Sequence, residues 1–300
     1  MGYIVEKYKN KVRFNEQYDE IYKFLKNNCD SGYNEHFHFG RFEWMMSHTM
    51  LDVDKLNEIG IFKDEEGDIV GIVTYDTGFD DNTYLLHSNN DKELLTKMID
   101  FAIRNYSIKN KISIVANSKD KALIELLKEN KFIETEWKDN VLELDLSKNL
   151  KYDLQKEYNI SPKDFHYDSW KYQIVIHKGF DHDGIPEKLS DEYFKPTPNF
   201  NLSLKVFAID KNNEYCAHCG IWYTEGDTAY IEPVVTIPKC RKKGLAKAVV
   251  YEAAIRARAL GAKRAIVLSQ QEFYYKIGFE KSSEFIHWDL QKKGMIINEN

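Results

Sequence analysis

Residues 230–268 read YIEPVVTIPKCRKKGLAKAVVYEAAIRARALGAKRAIVL, and their pattern predicts the architecture around them. The β-branched run Val234-Val235-Thr236 suits a strand, which Pro238 ends. An alanine-rich segment of helical periodicity follows, Ala246–Leu260, and Gly261 is predicted as its C-cap. The short apolar run after it predicts a second strand, buried on both faces. Strand, crossover helix and strand indicate a parallel pair with a right-handed connection.

The turn between that strand and helix has the sequence Arg241-Lys242-Lys243-Gly244-Leu245-Ala246. Gly244 lets the backbone turn tightly because it has no Cβ. The first turn of the helix leaves N–H groups unpaired, and the positive end of its dipole favours an anion. The arginine, the two lysines and Lys247 add cationic side chains at the same place. We therefore predict that the turn binds a pyrophosphate, at the carboxyl ends of parallel strands where such units hold ligands.

The turn resembles motif A of the GNAT superfamily of N-acetyltransferases, which has Gln or Arg, two of any residue, Gly, any residue, then Gly or Ala. Arg241, Gly244 and Ala246 fill the three fixed positions, and the run 232–238 is also similar to that family. The resemblance implies acetyl-CoA as cosubstrate and no metal. It implies that the pantetheine arm pairs with the backbone of the strand and that the turn holds the pyrophosphate, through Val234, Val235, Thr236, Arg241, Lys242, Lys243, Gly244, Leu245 and Ala246.

A second match lies downstream, in Phe273-Tyr274-Tyr275-Lys276-Ile277-Gly278-Phe279. It resembles the family's motif B, in which a tyrosine four residues before a Gly-Phe pair lies near the thioester sulfur. That residue is Tyr274, and Tyr275 is the reserve candidate. A phenol has an ordinary pKa of about 10, so Tyr274 is expected to be neutral at pH 7 and to donate a proton to the leaving thiolate. Core packing of both rings is the alternative in a tyrosine-rich chain.

The predicted reaction is direct transfer of an acetyl group from acetyl-CoA to a primary amine in a ternary complex. A lysine-like amine is cationic at pH 7 and must lose a proton before it attacks. Glu232 is the candidate general base, acting through a water, because alternation puts it on the same strand face as Tyr230 and Val234. An exposed carboxylate that only offsets the basic turn is an equal alternative. Backbone N–H groups at the splayed strand end are expected to polarise the thioester.

Two other classes of function stay open. A binding or regulatory protein could sense acetyl-CoA without transferring its acetyl group. A thiol oxidoreductase could use Cys216 and Cys219, although strand residues three apart point to opposite faces, which favours two small packing residues instead. The acceptor is left open between a small molecule and a peptide amine, since a fold gives a reaction class and not a substrate.

Length and composition favour an enzyme of more than one lobe. The chain has 300 residues, of which 43% are hydrophobic, enough for two ordinary cores. Its formal charge of -6 argues against nucleic acid as the main partner. We see no signal peptide, no apolar run that could span a membrane and no disulfide framework among the cysteines, so a cytoplasmic protein without membrane contact is expected. A homodimer is left open.

The predicted fold class is α/β, with a mixed, mostly antiparallel twisted sheet flanked by helices and present twice. We expect a degenerate GNAT-like domain over residues 1–148 and a catalytic GNAT domain over 149–300, joined near 147–160. In the first half His87-Ser88-Asn89-Asn90-Asp91 stands where the phosphate turn would be, and Leu127 stands where Tyr274 would be. A single GNAT domain after an unrelated module is the alternative. The strands are expected at 59–62, 69–75, 84–87, 112–115 and 141–146, then at 203–209, 215–223, 229–236, 264–268 and 285–290.

Two aromatic segments lie outside these motifs. Residues 35–48 are dense in aromatic, histidine and acidic side chains, and His36, His38, Glu43 and His48 could ligate a metal. A packed segment between helices is favoured, because nothing else fixes a metal geometry. Residues 170–200 are expected to build the acceptor side of the cleft.

Overall fold

The computed structural model describes residues 2–9 and 11–291 of the chain. Its strands are β1 (Ile4–Lys7), β2 (Gly60–Lys63), β3 (Ile69–Asp76), β4 (Gly78–His87), β5 (Lys111–Asn117), β6 (Ile133–Asp145), β7 (Tyr158–Ile160), β8 (Lys205–Asp210), β9 (Tyr215–Trp222), β10 (Thr228–Thr236), β11 (Arg264–Leu268) and β12 (Glu280–Gln291). Its α-helices are α1 (Glu16–Asn28), α2 (Phe39–Ser47), α3 (Lys92–Asn105), α4 (Lys121–Glu129), α5 (Ser169–Gly179), α6 (Leu245–Ala259) and α7 (Glu272–Lys276).

The chain folds into two compact units. Unit 1 runs from the start of the chain to Val141 and again from Lys281, and unit 2 is Leu142–Glu280. Strand β6 thus begins in unit 1 and ends in unit 2. The boundary between the two GNAT-like domains that the sequence predicts, after residue 148, stays a prediction.

Unit 1 contains a mixed sheet in the order β1-β2-β3-β4-β5-β12. Strands β4 and β5 are parallel, with Thr83 opposite Ile114 and Tyr84 opposite Val115, and the other neighbours are antiparallel. Helix α3 makes the crossover between the parallel strands. Its apolar face is fully buried through Leu94, Leu95, Met98 and Ile99, which places the core of the unit between helix and sheet.

Strand β12 belongs to unit 1, which corrects one expectation. The segment 285–290 was expected to complete the second sheet, but it pairs antiparallel with β5, from Phe285 opposite Asn117 to Gln291 opposite Lys111. The apolar pattern did indicate a strand there. It could not indicate the partner, because ladder hydrogen bonds join backbone groups that every residue carries.

Unit 2 contains a sheet in the order β11-β10-β9-β8-β7. The predicted antiparallel meander is β8, β9 and β10, and β10 is parallel to β11 as expected from the crossover. Helix α6 makes that crossover. Its small side chains allow close packing and are fully buried at Ala248, Ala253, Ala254 and Ala257.

The ends of α6 follow from its glycines. Gly244 is the N-cap at φ 81°, in the left-handed region that a side chain disfavours. At the other end Leu260 is the C-cap, one residue before the predicted position, and Gly261 follows at φ 121°. Among the residues that the structure describes, no helix is long and apolar enough to cross a membrane.

The aromatic segment 35–48 packs inside unit 1. It forms a 3-10 turn, Glu35–Phe37, and helix α2. His38 Nδ1 accepts a hydrogen bond from the Gly40 N–H at 3.0 Å and caps the helix, while Tyr18 donates to the buried Glu43 carboxylate at 2.7 Å. These side chains therefore serve helix capping and core packing.

Candidate active site

The parallel strands of unit 2 separate where the site begins. Their register runs from Thr228 opposite Arg264 to Tyr230 opposite Ile266, although β10 continues to Thr236. On its other side β10 stays paired with β9, after a bulge that falls between Ile231 and Val234. A strand whose register ends on one side while it stays paired on the other presents backbone groups to a ligand.

A glycine in β9 makes room for that bulge. A Cβ on Gly220 would lie 2.7 Å from the Glu232 carbonyl oxygen, closer than real Cβ contacts allow. The Trp222 indole N–H donates to the same carbonyl at 3.0 Å. Gly220 and Trp222 of β9 thus fix the bulge, and Glu232 lies within it.

A cleft of about 760 Å³ opens beside the end of β10. It gathers the predicted strand residues, most of the predicted turn and Tyr274, together with residues that the sequence did not single out. Its lining consists of Gly179, Phe180, Asp181, Val234, Val235, Thr236, Cys240, Arg241, Lys242, Gly244, Leu245, Ala246, Lys247, Gln271, Phe273 and Tyr274. Of the predicted site residues, Lys243 and Glu232 are the two outside this lining.

The basic turn presents backbone N–H groups to the cleft. Lys242 and Gly244 both have left-handed conformations, at φ 61° and 81°. The first internal hydrogen bond of α6 runs from the Ala248 N–H to the Gly244 carbonyl at 3.0 Å. The preceding N–H groups therefore take no part in the helix ladder, and they lie at the positive end of the helix dipole.

Arg241 bridges strand, turn and helix end. Its Nε donates to the Thr236 carbonyl at 3.0 Å and its Nη2 to the Gly179 carbonyl at 3.1 Å. The same Nη2 lies 2.8 Å from both carboxylate oxygens of Asp181. The predicted role of Arg241 was a contribution to anion binding, and the structure shows that its guanidinium is already paired within the protein.

The lysines of the turn differ in position. Lys243 points away from the cleft and donates to the Tyr158 hydroxyl at 2.9 Å. Lys242 and Lys247 line the cleft, and the Lys247 ammonium lies 5.0 Å from the centre of the Tyr251 ring. Their ammonium groups are therefore candidates for binding an anion in the cleft.

The two tyrosines of motif B point in different directions. Tyr274 is 6% exposed and lines the cleft, whereas Tyr275 is 41% exposed and does not line it. Burial raises the pKa of the Tyr274 phenol well above its usual range, and electrostatic interaction with Cys219 and Glu232 raises it further. The Tyr274 phenol therefore keeps its proton throughout the physiological range.

Glu232 lies on β10 just before the cleft-lining residues. It is half-buried. The expectation that Tyr230, Glu232 and Val234 share one strand face was wrong, because the bulge breaks the alternation: Tyr230 lies opposite Trp222 and Val234 opposite Cys219, which are three residues apart on β9 and point to opposite faces. Tyr230 donates a hydrogen bond to Glu232 Oε2 at 2.5 Å. The carboxylate is near enough to Tyr274 to raise the pKa of that phenol.

The cysteines of the C-x-x-C segment have separate surroundings. Burial, and then the contact with the Cys240 thiol, raise the pKa of the Cys216 thiol to about 12. Cys219 is fully buried and interacts electrostatically with Tyr274. Cys216 thus has Cys240 and not Cys219 as its neighbour, which removes the basis for a C-x-x-C redox pair.

The end of α5 forms a wall of the cleft that the sequence did not predict in detail. A Cβ on Gly179 would lie 2.4 Å from the Val235 Cβ, so a glycine is needed for helix and strand to approach. Phe180 lines the cleft while 51% exposed, and Asp181 pairs with Arg241. The expectation that residues 170–200 build one side of the cleft named the segment, but no local signal marked these three positions.

Unit 1 has a different arrangement at the corresponding place. The segment between the last parallel pair and the start of the crossover helix is half as long in unit 1 as in unit 2. It lies between Tyr84 and Lys92 in unit 1, and between Tyr230 and Leu245 in unit 2. The strand extension and the turn are thus shortened together.

A buried pair closes the end of that shortened strand. His87 Nε2 lies 2.7 Å from Oδ2 of Asp120, the N-cap of α4, and both side chains are buried. His87 Nδ1 donates to the Asn89 carbonyl at 2.6 Å, and the Tyr33 ring stacks on the imidazole at 4.6 Å. Side chains thereby join the end of β4 to the N-terminus of α4, at the place that corresponds to the cleft of unit 2.

Comparisons with known proteins agree with this geometry. Residues 170–279 match the model of the acetyltransferase (GNAT) family. A comparison with curated proteins finds no match.

Solved structures similar to this chain cover nearly all of it. A GCN5-related N-acetyltransferase from Sphaerobacter thermophilus is 10% identical, with a TM-score of 0.57 over 98% of this chain and 97% of that one. A tandem GNAT protein from the clavulanic acid biosynthesis pathway is 9% identical, with a TM-score of 0.58 over 98% and 99%. Saccharomyces cerevisiae N-myristoyltransferase with bound myristoyl-CoA is 11% identical, with a TM-score of 0.54 over 98% and 80%.

At such identities the likeness concerns the fold, while the family model matches the segment that contains the cleft. The chain has the tandem GNAT fold, and its residues 170–279 match the model of the acetyltransferase (GNAT) family.

Proposed function

We propose that this protein is an acetyl-CoA-dependent N-acetyltransferase that transfers an acetyl group to a primary amine by direct attack in a ternary complex. One observation carries the proposal. A single cleft in unit 2 brings together the open edge of β10, the N-terminus of α6 and the buried phenol of Tyr274. Each matches a different part of an acyl-CoA.

The cleft suits the chemistry of acetyl-CoA along its length. The open backbone at Val234, Val235 and Thr236 offers partners for the amide groups of pantetheine. The N–H groups at Leu245 and Ala246, with the ammonium groups of Lys242 and Lys247, suit a pyrophosphate. Bound acetyl-CoA would supply an activated acetyl group as a thioester.

Tyr274 would act as general acid. Its raised pKa keeps the proton on the phenol oxygen at neutral pH, where it can pass to the departing sulfur. A positioned general acid contributes about 10²- to 10⁴-fold in rate, so this one group would be a large part of catalysis.

Glu232 would act as general base, through a water. It directly precedes the cleft-lining end of β10, and its carboxylate is near enough to Tyr274 to raise the pKa of that phenol. A carboxylate at this place attracts an ammonium ion and accepts the proton that the amine must lose before attack. Acid and base would then act at the same end of the cleft.

The acceptor would be a small-molecule or peptide amine that enters beside Phe180. That ring lines the cleft and is half exposed, which suits contact with an apolar part of the acceptor or of the cofactor arm. We propose a role in the cytoplasm, without nucleic acid or a membrane as partner, and leave a homodimer open.

The alternative is a protein that binds acetyl-CoA without transferring its acetyl group. Unit 1 supports this alternative. It has a GNAT-like fold although His87 and Asp120 are joined at the place that corresponds to the cleft of unit 2. Retention of Tyr274 in the cleft of unit 2 favours catalysis.

Initial-rate kinetics with a panel of primary amines tests the proposal. Release of free CoA should match the amount of acetylated amine, and double-reciprocal plots at several amine concentrations should intersect, as direct transfer requires. Parallel lines would indicate an acetylated enzyme and contradict the ternary complex. Binding of acetyl-CoA without CoA release for every amine would favour the sensor.

A further inference from the structure

We infer that Tyr230 is a positioning residue, which fixes the Glu232 carboxylate at the acyl end of the cleft and favours its ionised form. By acyl end we mean the end of the cleft that is lined by Val234 and Tyr274. This inference rests on the proposed function, in which Glu232 accepts the proton of the amine. It goes further by assigning a role to a buried residue outside the cleft lining.

The contact between the two side chains is short and shielded. Tyr230 is 1% exposed, and its hydroxyl donates to Glu232 Oε2 at 2.5 Å. A hydrogen bond from a neutral donor to a carboxylate is among the stronger ones, and burial of the donor increases its strength. Such a bond favours the charged form of the acceptor over the protonated form.

The backbone around Glu232 is held independently. The indole of Trp222 donates to the Glu232 carbonyl at 3.0 Å, and Gly220 leaves room for that carbonyl. With the backbone fixed in the bulge, the remaining freedom of Glu232 lies in its side chain. The Tyr230 hydroxyl restricts that freedom at the carboxylate itself.

Two titratable groups on neighbouring elements keep their protons in the pH range in which a carboxyl group titrates. Tyr274 on α7 and Cys219 on β9 both have pKa values raised by burial, so both keep their protons at acidic and neutral pH. On β8 the Lys205 ammonium lies 3.8 Å from the centre of the Trp222 ring. A proton uptake below pH 7 that depends on Glu232 can therefore be assigned to its carboxyl group.

The variant Tyr230→Phe removes the donor and keeps the ring. Carbon-13 NMR of protein labelled at the glutamate carboxyl carbon follows Glu232 directly, with its signal assigned through Glu232→Gln. We expect the titration of Glu232 to move to higher pH by about one unit in Tyr230→Phe, the size expected for loss of a hydrogen bond to a charged group. This measurement needs no acceptor.

Tyr223→Phe is the matched control. Tyr223 is 3% exposed and donates to a backbone carbonyl, that of Gly226 at 2.8 Å, instead of to a carboxylate. It should leave the titration of Glu232 unchanged while it removes one buried hydrogen bond. A control that shifts the titration as much as Tyr230→Phe would show a general structural effect and overturn the inference.

The pH profile of kcat/KM with acetyl-CoA and the fastest amine of the panel gives the second measurement. Its acidic limb should move with the NMR titration, so that Tyr230→Phe loses about tenfold below the limb and little above it. An unchanged titration of Glu232 would overturn the hydrogen bond itself. A shifted titration with an unchanged profile would overturn the role in catalysis, while acetyl transfer as such would stand.

Discussion

Arg241 Nη2 lies 2.8 Å from both carboxylate oxygens of Asp181, so the arginine of the phosphate turn is neutralised by a residue at the end of α5. The pair is partly exposed, at 41% for the arginine side chain and 60% for the aspartate. It joins two walls of the cleft. It also lowers the positive potential that a phosphate meets there.

The variant Asp181→Asn should bind CoA more tightly. Loss of one negative charge beside the turn raises its positive potential, and exposed pairs of this kind are worth about 0.2–1 kcal/mol, which predicts a gain of up to about fivefold. Isothermal titration calorimetry at low and high salt measures it, and the gain should shrink as salt screens the charge. Asp183→Asn removes a charge from the same loop and should change the affinity less. Weaker CoA binding in Asp181→Asn would mean that the pair mainly holds the wall in place.

The variant Gly244→Ala tests the phosphate turn. At φ 81° a side chain costs about 1–2 kcal/mol, although the nearest atom to an added Cβ is the Asp153 carbonyl oxygen at 3.9 Å. We expect that loss of stability together with at least about tenfold weaker CoA binding, because the strained turn moves its N–H groups. Gly226→Ala has a similar φ of 90° and open space around it, away from the cleft lining. It should lose similar stability and keep CoA affinity, and equal loss of affinity in both variants would contradict a phosphate role for Gly244.

The variant Asp120→Ala tests the pair that closes unit 1. It removes the N-cap of α4, worth about 1 kcal/mol, and leaves His87 Nε2 buried without its acceptor, worth about 1–3 kcal/mol more. Asp91→Ala removes the N-cap of α3, which is half-buried and interacts with Tyr3 instead of a buried histidine, and should cost about 1 kcal/mol. Urea unfolding measures both. Equal costs would show that the His87 contact adds nothing to the cap.

Acid sensitivity should arise from buried histidines in each unit. Burial, and then the Lys205 ammonium, lower the pKa of His218 from 6.5 to about 3, and burial, and then Arg41, lower that of His36 to about 4. The unfolded chain binds these protons below pH 6.5 and the native protein does not, so stability falls as pH falls, by at most about 1.4 kcal/mol per pH unit for each histidine. His218→Asn should flatten this dependence between pH 6.5 and 4.5. The exposed His182→Asn should leave it unchanged, and a wild-type slope in His218→Asn would contradict the assignment.

The sequence predicted the parts of the site that depend on neighbouring residues. Strand β10 and helix α6 begin within one residue of the predicted positions, because β-branched residues, Gly244 and the alanine spacing act locally. Tyr274 was preferred to Tyr275 by the motif, and burial distinguishes them in the structure. Local chemistry was sufficient for these features.

Contacts between distant residues could not be predicted in the same way. Asp181 is sixty positions from Arg241, and nothing in its own surroundings indicates a partner. The predicted position of β12 in the second sheet was wrong for a related reason, since a strand pattern does not specify which sheet edge the strand joins. The sequence shows that the segment before Lys92 lacks a glycine and a cluster of basic residues. The contact between His87 and Asp120 could be seen only in the folded structure.

The comparison of Tyr274→Phe with Tyr275→Phe tests whether the Tyr274 phenol is the proton donor, with CoA release and acetyl-CoA affinity measured on the same preparations. Tyr274→Phe should lower kcat by at least about 10²-fold and leave the dissociation constant of acetyl-CoA within about twofold, because only the proton donor is lost. Tyr275→Phe, at an exposed ring, should change neither quantity. A Tyr274→Phe variant that releases CoA at the wild-type rate in the presence of the amine would contradict the account.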